Sequence, residues 1–189
     1  MNGISIAGGI VALMLLWAVI SYNRFVNQRN LIGNSWSNID TELRRRYDLI
    51  PNLVETVKGY VAHERAVLEE VTAARAAAAA EHGSPEEQAR AEAPLVTALR
   101  HLFVVVEDYP TLQSSSHFLD LQHELSNTED RIQASRRFYN ANVRDYNTRV
   151  QSLPSNVIAG LFNFDLEEYF QIEPAMRTTV EQPPNTYFA

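Results

Sequence analysis

The pattern of apolar positions changes twice along the chain. From Ile4 to Tyr22, ISIAGGIVALMLLWAVISY, there is no charged residue, and up to Ile20 no polar face beyond Ser5 and the glycines. At ~1.5 Å per residue a helix of that length spans roughly 28 Å, close to the apolar thickness of a bilayer. From Trp36 onward the apolar residues recur in heptads. One row is Trp36, Leu43, Ile50, Val57, then Glu64 and Val71; a second is Ile39, Tyr47, Leu53 or Val54, Val61, Leu68. Such rows predict an amphipathic helix packed in a bundle. It continues through AARAAAAAEH, a strong helix former, to a stop at Gly83. Ser84-Pro85-Glu86-Glu87 then reads as a helix start, with Ser as N-cap, Pro at the first position and Glu at the third. The second helix carries Leu95, Leu99, Leu102, Phe103 and Val106; Pro94 should kink or shorten it, and Tyr109-Pro110 closes it.

A third helix is expected from about Leu112 to Leu153. Its rows are Phe118, Leu125, Ile132, Tyr139, Tyr146, Leu153 and Leu121, Thr128, Ser135, Val143, Val150. Ser155 can cap a short helix over NVIAGLFNF, and Asp165 with Glu168 can cap another turn over Leu166 to Phe170. The end of the chain, with three prolines and no period, reads as a tail or an extended wrap. The expected fold is all-α: an N-terminal transmembrane helix, then an antiparallel bundle of long helices with a short C-terminal helix. The boundaries are 1–25 for the anchor, 26–172 for the bundle and 173–189 for the tail. The second helix is the short one, so the long helices overhang it, and their stripes need cover from the C-terminal helix or from another subunit.

The other readings of the apolar start fit less well. A core helix would show a polar face. A cleaved signal peptide would have a basic leader and small residues at a cleavage site, and neither MNG nor WAVISYNRF supplies them. Arg24 and Arg29 follow the span and no basic side chain precedes it, which places the bundle in the cytoplasm and the N-terminus outside. The net charge of −7 argues against nucleic acid as a partner. Without cysteine there is no disulfide framework, thiol nucleophile or cysteine-ligated zinc.

The stretch RRRYDLIPNL, residues 44–53, looks most like a site. Helical spacing puts Leu43, Tyr47 and Ile50 on one face and turns Arg44 and Arg45 away from it. Pro51 lacks the N–H that would bond the carbonyl of Tyr47, so the helix either kinks or restarts at Asp48; the unbroken apolar row favours one kinked helix. On an upright helix Arg45 would stand ~33 Å from the membrane, well beyond a Debye length of ~8 Å. The arginines are therefore expected to face solvent or to pair with carboxylates, with Glu42, Glu129 and Asp130 as candidates. A partner-protein surface is the alternative.

The same stretch carries a resemblance. RRRYDLIPNLVETVKGYVAHE resembles the central signature of the LemA family. VVVEDYPTL with FLDLQHEL, TEDRIQASRRFYNANVRDYN and LPSNVIAGLFNFDLEEYF are similar to that family's later blocks, in order and spacing from about Asn27 to Phe170. Gln113-Ser114-Ser115-Ser116-His117 departs from the usual basic, Asn-rich start of the third helix. The resemblance implies a membrane-anchored helical bundle, in the cytoplasmic membrane of a bacterium. It carries over no catalytic residue.

Candidate chemistry is sparse. His63-Glu64 lacks the second histidine of a zinc-binding H-E-x-x-H. Asp120 and His123 have di-iron bundle spacing, but no second pair matches them. Ser114 to Ser116 read as a helix start with capping hydroxyls. Tyr139-Asn140 and Tyr146-Asn147, two turns apart, are expected to form a polar seam bonding across to the first helix near Trp36 to Asp48, or else to recognise a partner helix or peptide. No catalytic, cofactor-binding or metal residue is assigned and no cofactor is expected. The expected role is a non-enzymatic scaffold that binds itself or another membrane-associated protein; the alternative is a ligand-binding or membrane-remodelling bundle using that seam and VIAGLFNF.

Overall fold

The computed structural model describes residues 3–61 and 64–171. The expected tail, 173–189, and His63 lie outside the described residues. Within them the chain is all helix and connecting segments: α1 (Gly3–Lys58), α2 (Arg65–Ala80), α3 (Pro85–Val106), the single turn α4 (Pro110–Gln113), α5 (Ser116–Gln151) and α6 (Ser155–Phe162). Cross-helix pairs give the directions. Arg46 reaches Glu129 and Ser35 reaches Asn142, so α1 and α5 run antiparallel. Tyr47 meets Arg75, and Glu70 meets His101, so α2 runs down beside α1 and α3 runs up again.

α1 is one rod of 56 residues, roughly 84 Å long. Its side chains are exposed from Ile6 to Trp17; Ala18 is the first to be partly covered and Ser21 the first buried. Beyond that point Phe25, Ile32, Ile39, Leu43, Ile50, Leu53 and Val57 form a continuous buried stripe. The apolar start and the bundle therefore share one helix, with no linker between them.

The heptad rows are buried as the periodicity predicts, but the helix they describe is interrupted. One helix from Trp36 to the alanine run is expected; instead the chain turns at Gly59-Tyr60, with the Tyr60 and Val61 amides donating to the Val57 carbonyl. Val57, Val61 and Leu68 are all buried across the turn, so the stripe gives no sign of it. Gly59 and the polar Glu64 are the available signals. The result is four long packed segments, not three. α2 ends at Ala80, ahead of Gly83, where the Glu81 carboxylate accepts from the His82 and Gly83 amides at 3.0 and 2.8 Å. The start of α3 is as expected: Ser84 Oγ accepts from the Glu87 amide and the Glu87 carboxylate from the Ser84 amide. Pro94 is accommodated inside α3.

α1 also continues through its proline. Pro51 cannot donate to the Tyr47 carbonyl, and Arg75 on α2 does so in its place, Nε to O 3.1 Å. A helix interior tolerates proline where another donor satisfies the freed carbonyl.

The expected turn over Leu166 to Phe170 is not helical. Asn163 adopts the left-handed conformation (φ 54°) that ends α6, and the Phe164 amide bonds the Ala159 carbonyl at 2.9 Å. Residues 164–171 then run without regular structure as a strap. Strap and α6 cover the lower part of the overhang: Phe25 stacks on Phe164, and Trp36 meets Phe170 edge-on. No second subunit is needed for those rows. Leu153, expected to extend the α5 row, is 80% exposed.

Candidate functional site

Two polar constellations sit inside this frame. The first lies at mid-bundle, where RRRY crosses α3 and α5. Arg44 and Arg45 point outward as predicted, pairing with Asp40 (3.0 Å) and Glu124 (2.7 Å). Arg46 points inward and is 2% exposed. Its guanidinium donates to the fully buried Glu92 on α3 and to Glu129 on α5, the latter at 2.9 Å. The second Glu92 oxygen accepts from the Tyr47 hydroxyl and from Gln88 Nε2, the latter at 3.0 Å. Gln88 Nε2 also lies within reach of the Ala78 carbonyl on α2, at 3.2 Å. Glu92 joins α3 to α1, and the network around it reaches α5 through Arg46–Glu129 and α2 through Gln88 to the Ala78 carbonyl. Burial raises the Tyr47 pKa well above its usual value, and the adjacent Glu92 charge adds to this. Glu92 is 0% and Arg46 2% exposed, so the arrangement is an interior tie between helices.

Of the expected arginine partners, Glu129 takes that place. Glu42 instead faces Arg131 at 3.8 Å, and Asp130 is exposed. Glu92 and Glu124 are partners that sequence reasoning missed. Glu92 falls in register with the buried face of α3 made by Ala89, Leu95, Ala98 and Leu102, and a carboxylate on that apolar face is the available signal.

The second constellation is the Tyr-Asn seam. Its residues do act together, but their partners differ from those expected. They hold the strap instead of bonding across to α1. Asn147 Nδ2 donates to the Glu167 carbonyl and its Oδ1 accepts the Glu167 amide, both at 2.9 Å. Asn140 does the same with Phe170, both bonds at 3.0 Å. The Tyr139 hydroxyl donates to the Glu168 carbonyl at 2.8 Å. The buried Tyr146 hydroxyl has no partner among the described residues. Desolvation raises both tyrosine pKa values, with the strap carboxylate Glu167 the next cause. The link expected with α1 survives as ring contacts, Trp36–Tyr139 with centroids 5.6 Å apart and Phe25–Tyr146 at 6.0 Å, and as the neighbouring Asn142–Ser35 bond. The seam is filled by the chain's own backbone.

The remaining candidates stay apart. Asp120 and His123 are exposed on α5, with His123 beside Asn127. Glu64 precedes α2 without capping it through its side chain. Ser115 is the N-cap of α5 but its hydroxyl makes no capping bond, and Ser114 Oγ donates to the Thr111 carbonyl. Among the described residues no group of three or more His, Asp or Glu side chains is placed to hold a metal ion.

The LemA family model matches residues 35–188. Magnetosome protein MamQ 1 of Paramagnetospirillum magneticum is 28% identical over 198 residues, covering 92% of this chain and 73% of that protein. Magnetosome protein MamQ of Magnetospirillum gryphiswaldense is 28% identical over 211 residues, covering 93% and 78%. Protein LemA of Metamycoplasma hominis is 27% identical over 157 residues, covering 80% and 70%.

Proposed function

The chain belongs to the LemA family, and from that premise we propose that it is a single-pass, membrane-anchored scaffold without enzymatic activity, whose bundle binds a second copy or another membrane-associated protein. One observation carries this reading. α1 runs unbroken from an exposed apolar segment into the bundle core, so the bundle is rigidly attached to whatever holds that segment. The polar constellations support it too, since their hydrogen bonds are spent on interior ties. The division of labour follows: residues 1–25 anchor, 26–172 form the bundle, and 173–189 lie beyond the strap. Arg24 and Arg29 after the span favour a cytoplasmic bundle with the N-terminus outside. The MamQ relatives are named as magnetosome proteins. For the partner surface the far end is the best candidate. Tyr60, Val104 and Leu119 lie there at the upper ends of α1, α3 and α5, each 46% exposed or more.

Crosslinking the full-length protein in native membranes, with adducts identified by mass spectrometry, tests the proposal. Adducts to itself or to one other protein through the upper end are expected. Purely monomeric bands from a crosslinker known to react would overturn it.

A further inference from the structure

Between Arg149 and Asp165 there is no charged side chain, the longest such stretch after the N-terminal span. It contains α6, which is apolar on both sides. Ile158 and Ala159 face inward and are buried. Val157 and Leu161, one turn apart, are 61% and 69% exposed, with Leu153 and Phe162 exposed beside them. A soluble surface rarely concentrates apolar residues in this way without a partner.

Its position identifies the partner. The ring of Phe162 lies 4.8 Å from that of Tyr22, the last residue of the apolar span, and Phe164 stacks on Phe25 just beyond. α6 is therefore held at the depth where α1 leaves its apolar segment. Any bilayer that surrounds Ile4 to Tyr22 must meet α6 at its surface. The charges nearby are mixed: Arg24 and Arg149 lie close together, with Asp145 beside Arg149 and the exposed Asp165 just after α6, and burial, then the Arg24 charge, lowers the Arg149 pKa. The Arg149 Nε is buried without a hydrogen-bond partner among the described residues.

We propose that α6 is a second membrane contact, with Leu153, Val157, Leu161 and Phe162 seated in the headgroup–acyl boundary of the leaflet through which α1 emerges. A short apolar helix at this depth adds buried area to the anchor and fixes the tilt of the bundle against the membrane. The strap continues directly from α6, so the contact also secures the start of the segment that Asn147 and Asn140 hold. This inference rests on the reading of α1 as a membrane span.

The absence of cysteine allows a direct test on the full-length chain. Single substitutions Leu13→Cys, Val157→Cys, Leu161→Cys and Phe138→Cys, all at exposed positions, would carry a spin label. The protein is placed in vesicles of equal phosphatidylcholine and phosphatidylglycerol, and collisions with oxygen and with a water-soluble nickel chelate are compared. The expected result is a several-fold higher oxygen-to-nickel ratio at 13, 157 and 161 than at 138. A lipid-like label at 13 with 157 and 161 matching 138 would overturn the α6 contact and leave the anchor standing. An aqueous label at 13 would overturn both. Labels at 157 and 161 shielded from both reagents would overturn the lipid contact in favour of a second copy or a protein partner on α6.

Discussion

Asn140 and Phe170 exchange two hydrogen bonds: the Asn140 side-chain amide donates to the Phe170 carbonyl and accepts the Phe170 amide, each at 3.0 Å. Asn147 repeats the exchange with Glu167. The two spacings agree for a simple reason. Seven residues of helix rise ~10.5 Å, and three residues of extended chain reach about 10 Å. Two asparagines two turns apart can therefore grip an extended segment at every third residue. The grip is on backbone and is indifferent to the side chains held.

Replacing Asn140 by Ala removes both bonds to Phe170. At ~0.5–1.5 kcal/mol per neutral bond, the Phe170 amide should exchange with solvent on the order of tenfold faster or more. The Val143 amide, inside α5, should be unchanged. Hydrogen exchange followed by mass spectrometry reads both, and equal protection at Phe170 in variant and parent would refute the grip.

Arg75 and Pro51 should be energetically coupled. Arg75→Met leaves the Tyr47 carbonyl without its donor, at a cost of about 1–3 kcal/mol. In a Pro51→Ala background the backbone N–H restored at that position can take the carbonyl, and the Arg75→Met cost should fall. A double-mutant cycle by chemical denaturation should therefore give a coupling of about 0.5 kcal/mol or more. Additive costs would mean that the carbonyl does not depend on Arg75.

Glu92→Leu alone should leave the buried Arg46 charge with Glu129, the more exposed of its two carboxylates, as its remaining partner and cost up to roughly 3–5 kcal/mol. The double variant Arg46→Met with Glu92→Leu should recover most of that loss, because an apolar pair carries no desolvation penalty. Thermal unfolding followed by circular dichroism distinguishes the outcomes. A double variant as unstable as Glu92→Leu would mean that the charges contribute more than they cost.

The tyrosines give a pH prediction with a definite sign. The Tyr47 and Tyr139 hydroxyls have folded pKa values raised above the ordinary 10.0, mainly by burial. The folded state thus keeps its protons where the unfolded chain loses them. Their contribution is intact below pH ~10 and is lost as pH rises above it. Stability should fall on the alkaline side, and Tyr47→Phe should flatten that slope. Near neutrality Tyr139→Phe should cost about 0.5–1.5 kcal/mol for its bond to Glu168, whereas Tyr146→Phe should be neutral or stabilising because its hydroxyl has no partner among the described residues. Denaturation curves at neutral and alkaline pH test all three variants.

Periodicity made most of the architecture legible. The rows through Leu43, Ile50 and Val57, and through Phe118, Leu125, Ile132, Tyr139 and Tyr146, are buried as expected, because burying one side of a helix imposes a repeat that survives in the sequence. The capping box at Ser84 and Glu87 was equally legible, being local chemistry between residues three apart. The turn at Gly59 was hidden because the apolar rows stay in register across it. Glu92 was hidden as the partner of Arg46 because a buried ion pair leaves no local trace of which distant charge completes it.

The strap shows most clearly where local reading ends. Asp165 and Glu168 satisfy the local rule for starting a helix, yet residues 164–171 are not helical. In a helix those backbone groups would bond one another; here the side chains of Asn140, Asn147 and Tyr139 meet several of them while Phe164 and Phe170 fill the space over Phe25 and Trp36. Residues a few positions apart govern the helices, their buried faces and the apolar start, and all of these can be read along the chain. Where α1 gives way to α2, which carboxylate meets Arg46 and what the Tyr-Asn seam holds emerge only in the folded molecule, because each depends on groups that come together only when the helices pack.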